Sequence, residues 1–277
     1  MRCLHISVSI KNLVSIAEEQ VAPGDALRRI HMDDRTKSRY GTWSVAVMTF
    51  CPELETRLRQ GDIKFVSIAL KKGMRSARSS DAHRLKELAG RFASETVGTQ
   101  IGLDGDSKMD RGFNHNKLGR LLIPVEYIKE YDRDPICMRE RVKGDARYKV
   151  TAHRSPAFLY EDPDDYNPKH VLQGFLRGKF LVFCFRAIFT GPRGSIRGPS
   201  MIQTPTRTGM AGIYGLLTVT VPMIAYSAVQ ARFALSEQQT WTGNDGAFSY
   251  EVFFETLLKV FEVDRNWGKE TLSWWNE

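Results

Sequence analysis

No aspartate or glutamate occurs between Tyr166 and Ser236, the longest carboxylate-free stretch of the 277 residues. Nothing inside that segment can therefore cancel its eight cations: Lys169, Arg177, Lys179, Arg186, Arg193, Arg197, Arg207 and Arg232. The chain has 40 Lys and Arg against 32 Asp and Glu, so these eight equal the whole net charge of +8. Concentrated positive charge selects anionic partners such as nucleic acid, phosphorylated ligands or lipid headgroups. It does not choose among them.

Cysteine is scarce as well. The four cysteines, at 3, 51, 137 and 184, are never closer than 47 residues. That spacing excludes a CxxC ligand pair and a compact disulfide framework. Reduced thiols point to an intracellular protein of the cytoplasm or nucleus. The six histidines are never closer than 17 residues, so no HxxxH or HExxH element exists. The segment Asp104 to Lys108 starts like a calcium loop but has Lys108 at its fifth position and His115 at its twelfth. Gly174, Gly178 and Lys179 are one residue short of a P-loop, with no Ser or Thr following. The hydrolase elbow fails because Arg193 stands where Ser195 would need a glycine. Glu161, Asp162, Asp164 and Asp165 read as a solvated acidic turn ahead of a helix start. No catalytic residue, metal ligand or cofactor is assigned.

Targeting and membrane signals are also weak. The first seventeen residues lack acids, but Lys11 and Asn12 interrupt the apolar run and no clean cleavage site follows. Residues 208–231 are uncharged and long enough to span a bilayer. Three glycines and a central Pro222 break that stretch, and Thr220 before Pro222 reads as the start of a buried helix. Membrane association through 208–231 stays an alternative, not the expectation.

What is present is ordinary globular composition, 42% apolar and 26% charged, on a chain long enough to bury a sizeable core. Residues 1–40 read as an N-terminal extension: Leu4, Ile6, Val8 and Ile10 alternate like a strand with no partner. From 41 to 277 the pattern is helical. Expected helices cover 43–50 and 52–59, then 62–77 capped by Asp62 and a separate one capped by Ser80. Residues 96–111 form a loop, followed by helices at 114–122, 135–144 and 168–190. A Gly/Pro/Arg-rich loop spans 191–210, and helices at 222–235 and 249–261 complete the series. The fold class is all-α, a single multi-helix domain of about eight to ten helices, with 168–190 and 222–235 at its centre.

Two basic features stand out. In the run RGFNHNKLGR, Arg111, His115, Lys117 and Arg120 surround Asn114 and Asn116, a donor density that could grip phosphates. The competing reading is a polar turn whose Asn side chains cap a helix and whose Arg pairs with an acid. The second feature is the loop with Arg193, Arg197 and Arg207, expected to share an exposed face with Lys169, Lys179 or Arg186. A flexible acid-free loop suits nucleic-acid contact, and it equally suits a surface insertion. The tryptophans read as packing residues before base-stacking platforms.

The runs RGFNHNKLGRLLIP, AFLYEDPDDYNPKHVLQGFLRGKFLVFCFRAIFTGP and VPMIAYSAVQARFALSEQQTW, with FSYEVFFETLLKVFE, carry a family resemblance. With KKGMRSARSSDAHRLKE they extend it over roughly residues 50–261. The chain resembles an uncharacterised domain-of-unknown-function family of mushroom-forming basidiomycete fungi. That resemblance implies an intracellular helical protein and brings no activity, cofactor or catalytic residue. The leading expectation is a non-enzymatic protein that binds a polyanion, DNA or RNA. A protein–protein scaffold is the alternative. An enzyme built on His115 and the acidic turn is third, and it requires His115 within hydrogen-bond reach of Asp162 or Asp164.

Overall fold

The computed structural model describes residues 9–21, 33–191 and 218–277. The alternation expected at Leu4 to Val8, nearly all of the 191–210 loop and the first ten residues of the uncharged 208–231 stretch lie outside the described residues. The described chain is mostly helical, with eleven α-helices and one two-stranded hairpin, β1 (Asn244–Asp245) and β2 (Phe248–Ser249). It divides into two compact units, Met1–Ser80 and Asp81–Glu277.

The first unit starts with α1 (Ile10–Val21), which buries Ile10, Leu13, Val14, Ile16, Ala17 and Val21. Spacings of three and four put most of that set on one helical face. Ile10, the last member of the strand-like alternation, thus belongs to a helix. In α2 (Asp34–Phe50) the Asp33 side chain accepts from the Thr36 amide at 2.9 Å, capping the helix. Pro52 occupies the first turn of α3 (Pro52–Arg59), where its missing N–H costs nothing. Arg59 Nη1 donates to the Val21 carbonyl at 2.8 Å and so closes the C-terminal end of α1. Every cation of α3 is paired: Arg57 with Glu53 and Asp62, Arg59 with Glu55.

The two helices expected at 62–77 and from Ser80 are one helix, α4 (Ile63–Val97). Asp62 accepts from the Phe65 amide at 3.2 Å, as its capping role requires. Ser80 is an exposed mid-helix residue. The buried positions Val66, Leu70 and Met74 continue in phase into Leu85, Ala89 and Phe92, three turns beyond Met74. Neither Gly nor Pro interrupts the join, so nothing ends the helix there.

The second unit centres on α8 (Lys179–Phe189) and α9 (Val221–Leu235), both buried nearly all round and packed on each other. A helix that is apolar round its whole circumference must lie inside a core. The start expected at 168 is corrected to 179. Residues 167–178 form turns because their backbone is used elsewhere: Glu161 N–H donates to the Gly174 carbonyl at 2.9 Å and Gly178 N–H to the Leu159 carbonyl at 3.1 Å. Gly174 and Leu176 take φ of 63° and 60°, left-handed values that no α-helix contains. Of the smaller helices α5 (Asn116–Leu122), α6 (Ile128–Arg133) and α7 (Pro135–Gly144), α5 packs on α9, and α6 and α7 pack on α5. The chain ends in α10 (Tyr250–Val263) and α11 (Arg265–Asn276). Trp267 and Trp275 donate their indole N–H groups to the Leu172 and Leu176 carbonyls, both at 3.0 Å. Those tryptophans thus hold the irregular turn in place, and Trp275 is fully buried.

Candidate nucleic-acid interface

Of the cations singled out from the sequence, those among the described residues fall in different places, and several are not on a surface. Arg111 is buried. Its Nη1 donates to the Ala234 carbonyl at 3.0 Å, and its Nη2 donates to the carbonyls of Lys86 at 2.9 Å and Asp104 at 3.1 Å. Burial pushes its pKa down, with Asp110 and Asp104 opposing. Arg186 is also buried in α8, and burial lowers its pKa too. Both guanidinium groups lie in the interior and not on the exposed basic surface expected from the sequence.

His115 caps α5. Its Nδ1 accepts from the amides of Lys117 at 3.2 Å and Leu118 at 3.4 Å, so the capping residue is the histidine and not the asparagines. Arg120 is held by acids: Nε and Nη2 grip Asp132 at 2.7 and 2.8 Å, and Nη2 also meets Asp164 at 2.5 Å. The Asp132 hydrogen bond leads the causes that raise its pKa. The 111–120 run and the acidic turn are therefore neighbours in space. Lys117, Arg120 and Lys179 line one cleft of about 400 Å³ together with Glu161, Asp162 and Asp164. Three carboxylates facing three cations cancel the field, which makes this cleft a poor seat for a polyanion. His115 is not part of its wall, and the pairing with Asp162 or Asp164 that a catalytic centre would need is not formed.

Lys169 is exposed on the turn before α8. Lys179 is exposed and donates to the Glu95 carbonyl. Arg193, Arg197 and Arg207 lie outside the described residues. Two further cations of the acid-free segment are engaged: Arg177 lies over the Trp274 ring at 5.3 Å, and buried Arg232 pairs with Asp245 at 2.6 Å.

Among the described residues, exposed cations without ion pairs gather on α4. Between Asp62 and Asp81 there is no acid, and Lys64, Lys71, Lys72, Arg75 and Arg78 stand within those eighteen residues. Lys64, Lys71, Lys72 and Arg75 are exposed, and none of the four has an ion pair among the described residues. Lys71, Lys72 and Arg75 line a shallow groove with Ile68, Ser76 and Ser79. Residues at spacings of three and four share a helix face, so 68, 72, 75 and 79 form one stripe flanked by 71 and 76. A signal for this face was in the sequence: five cations in eighteen acid-free residues is denser than eight in seventy-one. Counting the longest acid-free stretch, instead of the densest, passed over it.

These features define a mostly helical protein in which, among the described residues, a group of exposed cations without ion pairs lies on one helix face. The chain belongs to a family of unknown function, DUF6698, whose profile matches residues 72–277. The match begins at Lys72, inside the basic stripe of α4, and runs to the final residue. No curated protein and no solved structure matches the chain.

Proposed function

We propose that this protein binds a polyanion, nucleic acid in particular, through the exposed face of α4. The observation that carries the reading is the grouping of Lys71, Lys72 and Arg75 on one exposed stripe, with no carboxylate between residues 62 and 81. Cations without a partner keep their full attraction for phosphates and release counterions when they bind. The serine hydroxyls of Ser76 and Ser79 add uncharged donors to the same groove. Among the described residues no helix is long and apolar enough to cross a membrane, and Cys51, Cys137 and Cys184 are free thiols. Both facts suit a protein that meets nucleic acid in the cytoplasm or nucleus.

The test is binding to nucleic acid across a salt series with the wild type and two triple variants. Lys71→Ala/Lys72→Ala/Arg75→Ala should flatten the salt dependence by roughly two to three units, since each phosphate contact contributes about 0.7 to 0.9. Arg193→Ala/Arg197→Ala/Arg207→Ala tests the loop singled out from sequence. Unchanged slope in the α4 variant would refute the assignment of the site.

A further inference from the structure

The stripe is not purely cationic. Its N-terminal end carries Phe65, 41% exposed, and Ile68, 56% exposed, in register with Lys72, Arg75 and Ser79 at spacings of 3, 4, 3 and 4. At about 1.5 Å per residue the line from 65 to 79 is about 21 Å long. Exposed large apolar side chains are costly in water and inform about partners when they line up with other surface features. Phe65 is also held in position. The Arg57 guanidinium covers its ring at 4.7 Å from the centroid, and Arg57 is tethered by Asp62 at 3.6 Å and Glu53 at 3.8 Å. Those two acids neutralise Arg57, so its role is to order the ring and not to add attraction. A ring ordered before binding loses little entropy on meeting its partner.

We infer that, on the polyanion reading above, the ligand class of the α4 face is single-stranded nucleic acid, with Phe65 stacking on a base while Lys71, Lys72 and Arg75 hold the phosphates that follow. In a duplex the flat faces of the bases are hidden by their neighbours, and a phosphate clamp needs only cations and polar donors. An aromatic ring in line with cations gains nothing from such a backbone. A single strand offers both groups, base faces and phosphates, along one track. The neighbouring Ile68 supplies an apolar contact on the same track.

The experiment uses the full chain with three probes: a fluorescent oligothymidylate, a mixed-sequence duplex of equal length, and phosphatidylcholine vesicles containing phosphatidylserine. Oligothymidylate should bind more tightly than duplex at matched salt. Phe65→Ala should weaken that binding roughly tenfold, the scale of one lost stacking contact, without altering its salt slope. Phe65→Tyr should restore it, and circular dichroism should show both variants folded. Equal duplex binding, or a neutral Phe65→Ala, overturns the single-strand assignment while the lysine–arginine variant still tests the polyanion reading separately. Vesicle binding that depends on Phe65 and Ile68, without oligonucleotide binding, overturns both in favour of an anionic membrane surface. A salt slope that the cation variant leaves intact overturns the polyanion reading itself.

Discussion

Arg111 Nη1 and the Ala234 carbonyl meet at 3.0 Å in the protein interior, at the last turn of α9. Helix C-termini leave carbonyls without intrahelical donors and carry partial negative charge, so a buried cation there meets both needs. Lys108 takes the adjoining carbonyls of Phe233 and Gln238, both at 2.6 Å, with its ammonium 3.7 Å from the centre of the Phe233 ring. Arg111, expected from the sequence to contact phosphates, and Lys108 together cap the C-terminal end of α9.

Removing Arg111 should be a folding defect. Arg111→Ala leaves the carbonyls of Ala234, Lys86 and Asp104 without this donor, and buried polar groups left unpaired cost about 1–3 kcal/mol each. A loss of about 3 kcal/mol or more in chemical denaturation is expected. A variant with unchanged stability and weaker nucleic-acid binding would contradict the burial argument.

Lys108 sets a pH dependence. Burial, then the neighbouring Arg111, push its pKa from 10.5 down to about 7, with Lys86 and Arg232 adding to the fall and Asp245 opposing it. Between those two values the unfolded chain holds the proton and the folded chain releases it. Stability should therefore rise as pH rises from about 7 toward 10.5, by at most about 1.4 kcal/mol per pH unit. Below pH 7 both states are protonated and the contribution is flat. The readout is the stability difference from Lys108→Met, which cancels the contribution of every other group. Parallel stability curves for the two proteins would refute the shift.

Gly178 tests why the helix of the acid-free segment starts late. A Cβ built on Gly178 would stand 2.0 Å from the Phe158 carbonyl oxygen, a backbone atom that cannot swing aside. Gly178→Ala should cost about 3 kcal/mol, the upper end of the usual overpacking range. Its thermal midpoint should fall accordingly. Gly102→Ala is the control, since nothing lies within 4 Å of a Cβ there. Equal midpoints for the two variants would show that residues 158 and 178 are not pressed together.

Local chemistry decided much of the helical framework before any contact was known. Asp134 before Pro135, Ser249 before Tyr250 and Pro222 near the start of α9 are short-range signals, and each marks a helix start in the structure. The run from Phe180 to Phe189, apolar but for Arg186, likewise required a central position, because no orientation of that helix spares it from burial. Ser80 was misleading for the same local reason: a serine is a good cap only where a helix starts, and here the buried faces on either side are in phase.

The site depended on what folds beside each cation. Arg111, Lys117 and Arg120 sit within ten residues of one another, yet one is buried under α9, one lines a mixed-charge cleft and one is clamped by Asp132 and Asp164. Composition records only the charge of a side chain, whereas its use depends on which carbonyls and carboxylates the tertiary fold brings within about 3 Å, since hydrogen bonds act only at that range. From sequence alone this is an all-α protein with excess positive charge. Tertiary packing decided that Arg111, Arg186 and Arg232 lie in the interior, while Lys64, Lys71, Lys72 and Arg75 of α4 stay exposed without an ion pair among the described residues.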